Sequence, residues 1–265
     1  MQMVSNGIAA GDVLREWRRR RKLSQLDLAC EAEVSTRHLS FLECGRAAGS
    51  REMLLKLAER LAMPLRAQNQ LLLAGGYAPA FPERPLDAPD MAAARAAVDA
   101  VLEGHTPFPA LAVDRHWTLV AANAALAPLL AGVSPALLRP PVNVLRLSLH
   151  PDGLAPRIDN LGEWRRHLLD RLRVQIQHSG DPVLADLLIE REAYPSRASP
   201  QRPSSGGVAV PLRIRDPDRA TVLSFISTTT MFGTPLDLTL AEVALECFYP
   251  ADQATRDALM RLQPG

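Results

Sequence analysis

Leu23-Ser24-Gln25-Leu26-Asp27-Leu28-Ala29, Val34-Ser35-Thr36-Arg37-His38-Leu39-Ser40-Phe41-Leu42-Glu43-Cys44-Gly45-Arg46 and Ser50-Arg51-Glu52-Met53-Leu54-Leu55-Lys56-Leu57-Ala58-Glu59-Arg60-Leu61 decide the fold of the first third of the chain. Each stretch places a serine just ahead of an apolar pattern with helical spacing. A serine there caps the free N–H groups of a helix start. Asp27 stands three residues after Ser24, the spacing of a capping box. Leu26, Ala29 and Cys30 mark one inner face; Leu39 and Leu42 mark a second; Leu54, Leu57, Ala58 and Leu61 mark a third. Ala32-Glu33-Val34 is a tight turn between the first two. Gly45 stops the second, because it reaches a left-handed backbone at low cost. Working outward, Leu14, Trp17 and Arg21 share a face of a preceding helix, and Pro64 opens a fifth at its first turn.

Two short helices joined by a three-residue turn form a helix-turn-helix pattern, in which the second helix offers its N-terminal side chains to the major groove of DNA. With the three quoted stretches, about 60 residues within 12–76 resemble the Xre/Cro/C1 family of regulators. The resemblance implies that Gln25 meets a phosphate or a base edge, and that Thr36, Arg37, His38, Ser40 and Phe41 face the groove. It also implies that Arg46 meets a phosphate. Arg37 is the expected base reader, since its planar fork bonds guanine bidentately. His38 also reads as an ordinary surface residue, and Arg18 to Lys22 as a solvated helix face. Two positions depart from the family pattern: Glu33 stands where a turn glycine is usual, and Gly49 where a proline precedes the fourth helix.

The formal net charge of +1 hides an asymmetry. Residues 1–80 carry 12 basic and 8 acidic side chains, and residues 81–265 carry 18 and 21. The surplus of positive charge therefore lies in the first third, as suits a protein that touches phosphates with one end. Apolar residues at 47% and charged residues at 22% describe a folded chain with real cores. Cys30, Cys44 and Cys247 are too few and too scattered for a disulfide framework or a structural zinc site. The N-terminus has no signal-peptide pattern, and no apolar run is long enough for a membrane span. The cytoplasm is the expected location, with no membrane partner.

Four prolines between Ala78 and Pro89 read as a stiff linker. A helix from Met91 to about Gly104 follows. Ala110–Val113 and Thr118–Ala121 flank Asp114-Arg115-His116 as a hairpin. Asn123 is positioned to cap a helical run over 124–131. Trp164, Leu168, Leu172 and Ile176 mark a long helix over 161–178, with another over 182–192. Residues 195–207 read as a loop. Val208 to Arg215 alternates with period two, Asp216-Pro217-Asp218 turns, and Thr221–Met231 is a second strand. A short helix ends the chain near 252–262.

Three stretches of this half resemble the MmyB-like ligand-binding domain, which has a PAS-like fold. They are Pro109-Ala110-Leu111-Ala112-Val113-Asp114-Arg115-His116-Trp117 with its continuation to Asn123, Asn143 to Trp164, and Phe225-Ile226-Ser227-Thr228-Thr229-Thr230-Met231-Phe232-Gly233-Thr234-Pro235. The resemblance spans nearly all of residues 100–250. It implies a sensor for a small apolar or fatty-acid-like ligand. Arg146, His150, Arg157, Asn160 and Trp164 cluster in sequence as the candidate ligand site, since arginine holds a carboxylate and an apolar pocket takes a tail. The plainer reading is that the arginines tie loops to the body and Trp164 is core. His167 and His178 lie eleven apart without a partner at ligand spacing, and read as surface histidines rather than metal or haem ligands.

The expected architecture is two domains: an all-α five-helix helix-turn-helix domain over 1–78, a Pro-rich linker over 79–90, and an α/β PAS-like sensing and dimerisation domain with an antiparallel sheet over 91–265. The expected function is ligand-responsive, sequence-specific binding of double-stranded DNA by a homodimer, with no cofactor. The alternatives are a constitutive DNA-binding regulator whose second half only dimerises, and an enzyme with an appended reader. The enzyme is disfavoured because the chain has none of the nucleophile, dinucleotide, phosphate-loop or zinc-protease motifs.

Overall fold

The computed structural model describes residues 9–195, 209–216, 221–233 and 237–261. The chain divides into two compact units, the first reaching to Glu83 and the second built mainly from residues after it.

The first unit is five helices: α1 (Ala10–Arg20), α2 (Gln25–Glu31), α3 (Thr36–Glu43), α4 (Arg51–Arg60) and α5 (Leu65–Ala74). The three serines cap as the sequence predicts. Ser24 Oγ accepts from the Asp27 amide while Asp27 accepts from the Ser24 amide, a complete capping box. Ser35 and Ser50 accept from the amides of His38 and Met53. Pro64 is the residue before α5 rather than its first turn. Leu14, Leu28, Leu39, Leu57 and Leu72 are completely buried, each contributing roughly 1.5–3 kcal/mol by leaving water. Gly11 lets α1 approach α3 closely: a Cβ there would lie 2.3 Å from the Leu42 carbonyl oxygen. The helix ends are unusual. Lys22, Glu33 and Ala62 all take left-handed backbones, with φ of 57°, 53° and 45°, where glycine is the usual choice. Of the Pro-rich stretch, the Ala80 and Phe81 amides donate to Asn69 Oδ1 on α5, and Asn69 Nδ2 donates back to the Phe81 carbonyl.

The second unit is built on a five-stranded antiparallel sheet in the order β2-β1-β5-β4-β3. The strands are β1 (Ala110–Val113), β2 (Leu119–Ala122), β3 (Leu212–Arg215), β4 (Val222–Met231) and β5 (Ala244–Pro250). This is the expected PAS-like antiparallel sheet. The helices are α6 (Ala92–Gly104), α7 (Val144–Leu149), α8 (Leu161–Ser179), α9 (Pro182–Glu192), α10 (Leu238–Ala241) and α11 (Gln253–Arg261). Period-two alternation sorts the central strands. Ala110, Ala112, Leu245 and Cys247 pack with Val98 and Leu102 of α6. Leu111, Val113 and Phe248 turn to the opposite face, toward Leu126. On that face Trp164, Leu168 and Leu172 of α8 join Leu184 and Leu187 of α9 and Phe225 of β4 in the largest core.

Several sequence expectations change. The central strand β5 was not anticipated: Ala244–Pro250 ends in proline and has Glu246 and Cys247 at its middle, which dilutes its strand signal. β3 is shorter than the alternation suggests, covering 212–215. The expected loop 195–207 lies, apart from Pro195, outside the described residues, as do Val208 and the Pro217-Asp218 part of the expected turn. Asn123 does not cap the run after it, which is a 3₁₀ helix over Ala124–Leu130. Its side chain accepts from the Ala110 amide and donates to the Leu102 and Phe108 carbonyls, so it staples α6 to β1. A buried amide group is more stable with three partners than with one.

Candidate functional site

In the first unit the expected contact residues lie at the start of α2, along α3 and in the turn after it. Arg37 is exposed at the start of α3, with its guanidinium carbon 5.4 Å from the Phe41 ring one turn on. Stacking on an aromatic ring narrows the directions the fork can take. Thr36, His38, Ser40 and Phe41 are half-buried on the same helix, and Arg46 is exposed in the turn after it. Neither Arg37 nor Arg46 has an ion-pair partner among the described residues.

Gln25 is placed differently from expectation. Its side-chain amide donates to Glu43 Oε2 at 2.8 Å, inside the unit. Glu43 is 2% exposed and accepts a two-pronged contact from Arg18, Nε to Oε1 at 2.6 Å and Nη2 to Oε2 at 2.8 Å. Burial pushes the Glu43 carboxyl up, but the hydrogen bonds from Arg18 and Gln25 and the charges of Arg18 and Arg15 outweigh it and hold it below its ordinary range. Arg21 bonds the Leu61 and Ala62 carbonyls at the end of α4. The basic run 18–22 is therefore not one solvated face: Arg18 and Arg21 are structural ties, and Arg19 and Arg20 are exposed. An acid at the buried end of α3 facing an arginine two residues before the end of α1 is the signal that would have revealed this pairing.

In the second unit a cavity of about 80 Å³ lies between the sheet and α7 and α8. Its wall is almost wholly apolar, with Trp117, Leu129, Leu145, Trp164, Leu168 and Phe248 prominent. Trp117 sits in a left-handed backbone, φ 64°, a conformation that costs a non-glycine residue on the order of 1–3 kcal/mol. Asp114 Oδ1 accepts the His116 and Thr118 amides at 2.8 Å, and Gln175 accepts from the Trp117 indole and donates to the Arg115 carbonyl. These bonds hold the strained turn and aim the indole into the cavity.

The expected ligand cluster does not assemble here. Of its five members only Trp164 lines the cavity. Arg146 pairs with Glu190 of α9 at 2.8 and 3.0 Å and is about half exposed. His150 meets the Tyr194 ring edge-on at 5.1 Å, with Nδ1 accepting the Asp152 amide. Arg157 donates to the carbonyls of Leu129, Ala131 and Arg215. Asn160 donates to the Pro211 carbonyl and accepts the Arg213 amide, fastening edge strand β3 to the start of α8. Spacing of four along the chain brought these residues together only on paper, because α7 ends at Leu149 and the intervening loop turns each side chain to a separate partner.

The polar groups that do line the cavity were missed: Ser148, Arg171 and Glu246. Glu246, 4% exposed on β5, accepts from Arg171 at 2.5 and 3.3 Å and from Thr229 Oγ1 at 2.9 Å. Arg171 also lies 4.9 Å from the Trp117 ring centre. Ser148 Oγ accepts from the Trp164 indole at 3.0 Å. A charge beside the apolar stripe of α8 and another within the apolar run of β5 were the available signal. His167, expected at the surface, is half-buried; burial and the charge of Arg171 lower its pKa and favour the neutral ring. Among the described residues no three His, Cys, Asp or Glu side chains group as a metal site, and no helix is long and apolar enough to cross a membrane.

No curated protein matches the chain at a significant level. The model of the MmyB-like transcription regulator ligand binding domain matches residues 94–262, which take in the whole sheet, the cavity and α7 to α9. The chain belongs to the family defined by this MmyB-like transcription regulator ligand binding domain.

Proposed function

We propose that the protein is a cytoplasmic, homodimeric transcription regulator that binds a specific DNA sequence through α2 and α3 and responds to a small apolar molecule held in the second unit. The observation that carries this reading is the apolar cavity inside a regulator-type ligand-binding domain, on the same chain as a capped helix-turn-helix pattern. Arg37 and Arg46, exposed and without an ion-pair partner among the described residues, supply a base reader and a phosphate contact in that pattern. Dimers of such readers bind half-sites about one helical turn apart, so the operator is a two-fold-related sequence. The reading contains no catalytic step and no cofactor. The resemblance to fatty-acid-type sensors enters it only as a class of ligand.

Two measurements test the reading together. Footprinting on DNA upstream of the gene is expected to protect a pair of related half-sites. Mass spectrometry of small molecules released from the purified chain is expected to find an apolar compound, and adding that compound back is expected to shift the DNA affinity. Protection without any effect of a bound compound would instead favour a constitutive regulator whose second unit only dimerises. No protection at any concentration would sink DNA binding altogether.

A further inference from the structure

We propose that a second copy of this chain adds to the sheet along β4 over residues 227–231, antiparallel and centred on Thr229, and that this edge is a dimer interface. The inference rests on the homodimer of the proposed function and names the surface that makes it.

The sheet covers the free sides of its two outer strands. At β2 the Leu119 amide donates to the Val142 carbonyl and Thr118 bridges Asn143. At β3 Ile214 bridges Ile158, the Asp159 amide donates to the Arg213 carbonyl, and Asn160 binds the Pro211 carbonyl and the Arg213 amide. β4 is different. It runs for ten residues, and β3 pairs with it only from Val222 to Phe225. β5 holds its other side from Phe225 to Met231. The Ser224 carbonyl accepts the Ala251 amide on the β5 side. Alternation along the ladder then sends the main-chain groups of Ile226, Thr228 and Thr230 toward β5, and those of Ser227, Thr229 and Met231 away from it. On that far side, among the described residues, neither a strand nor a main-chain hydrogen bond meets them.

An edge of this kind is a template for another strand, and proteins that leave one in water blunt it with charges, proline or a bulge. Ile226-Ser227-Thr228-Thr229-Thr230-Met231 has no charge and no proline, and its register with β5 is unbroken. Thr228, Thr229, Thr230 and Met231 are all exposed. A second copy fits this edge in length and in charge. A two-fold axis at Thr229 sets Ser227 against Met231 of the second copy and Thr228 against its Thr230. The stretch is bounded by the Leu212–Phe225 pair at one end and by the end of β4 at the other, so no further strand of either copy stands in the way. Three hydrogen-bonded pairs give about six main-chain bonds, and facing threonines pair favourably across a seam. A charged peptide finds no complementary charge along the same edge, whereas a neutral edge suits itself.

The test is sedimentation equilibrium of the full chain, which gives the dimer dissociation constant. Thr228→Lys with Thr230→Lys sets like charges against each other at both symmetric contacts and is expected to weaken the dimer about tenfold. Thr228→Lys with Thr230→Glu sets opposite charges at the same contacts and is expected to restore the dimer to within about threefold of the unaltered chain. Ser227→Pro removes a main-chain donor from the open edge of each copy and is expected to weaken the dimer about tenfold. Circular dichroism checks that each variant keeps its fold; if Ser227→Pro does not, the two charge variants decide. A dimer that none of these substitutions moves would overturn the proposal and leave the homodimer standing on another surface. Loss of the dimer with the opposite charges as well as with the like ones would overturn the pairing about Thr229. A chain that stays monomeric at every concentration would overturn both the proposal and the homodimer.

Discussion

Glu43 stays ionised inside the first unit because Arg18, Arg15 and Gln25 surround it. Its folded pKa lies below the ordinary glutamate value, so its contribution to stability is present above about pH 4.3 and is lost as the pH falls through the lower, folded value. Glu43→Ala is expected to cost about 3–5 kcal/mol, since it orphans Arg18 beside a buried gap. In acid-unfolding curves the same variant should lose part of the steep limb below pH 4; an unchanged limb would show that Glu43 is not the group protonated there. Arg191 is the opposite case. It is fully buried on α9 and stacks on Tyr194 at 4.1 Å, yet its Nε and Nη1 have no hydrogen-bond partner among the described residues. Burial lowers its pKa to about 10. Glu190, which it meets, is also held by Arg146. Arg191→Met therefore orphans no acid, and is expected to stabilise the second unit by about 1–3 kcal/mol through removal of under-bonded donors. Thermal unfolding measures this directly, and a lower Tm would assign Arg191 a partner beyond the described residues. On the proposed DNA face, Arg37→Ala should cost about 1–3 kcal/mol at one base position and relax the preference there. Arg46→Ala should weaken all sequences alike and flatten the salt dependence. Equal loss of specificity in the two variants, measured by binding to operator and scrambled duplexes, would contradict these roles.

Helix ends carry the strain of the first unit. α1, α2 and α4 each stop on a left-handed residue that has a Cβ, Lys22, Glu33 and Ala62, while α3 ends on Gly45 with φ 68°. An L residue held there pays about 1–2 kcal/mol relative to its relaxed backbone. Ala62→Gly is expected to recover part of that and raise Tm, because the alanine methyl makes no compensating polar contact. Glu33→Gly relieves the same backbone but removes the contact of Glu33 with Lys56 at 2.9 Å. Both residues are substantially exposed, so salt screens that contact. The gain from Glu33→Gly should accordingly be larger in high salt than in low, and a gain that shrinks with salt would show that the turn is held by something else. In the second unit the comparable decision is at β5. It is the middle strand, bonded to β1 on one side and β4 on the other, yet Glu246 and Pro250 interrupt its strand pattern. Pairing with β4 over seven residues and with β1 over four outweighs the weak propensity of Glu246, Cys247 and Pro250.

At the scale of the molecule, the Pro-rich stretch 79–90 is short of free residues. Ala80 and Phe81 are bonded to Asn69 in the first unit, and Leu86 and Met91 are buried in the second. Glu83 pairs with Arg66 of α5 and Arg84 with Asp90, so little of Pro82 to Pro85 is without a contact. A segment so short and so rich in proline transmits a change in one unit more faithfully than a flexible chain does. A ligand shifts such an equilibrium only through its different affinities for two states. Replacing 82–85 by Gly and Ser, with Phe81 and Leu86 kept, is expected to leave ligand affinity unchanged and to reduce the effect of ligand on DNA affinity. Titrating DNA with and without the apolar compound released from the purified chain, in both chains, measures this, and an unchanged effect would mean that the signal takes another route.

The sequence by itself determined the elements whose information is local. Serine caps at 24, 35 and 50, apolar spacing at Leu14 and Trp17 or Trp164 and Leu168, and the Gly45 stop each act within one or two turns of backbone, so helices α1 to α5, α8 and α9 were legible before any coordinates. So was the antiparallel sheet at β1, β2 and β4, where period-two alternation or β-branched residues declare the strand. The tertiary structure alone decided everything that depends on partners far apart in the chain. The place of β5 follows from two neighbours more than a hundred and about twenty residues away in pairing. Arg157 and Asn160 have the chemistry of ligand contacts, but carbonyls 26 to 58 residues distant claim them. The cavity is the clearest case. Arg171 and Glu246 lie 75 residues apart and look in sequence like two unrelated charges on apolar faces. Only the packing of α8 against the sheet makes them a neutral pair, because the energy of a buried charge is set by what surrounds it in space and not by its neighbours along the chain.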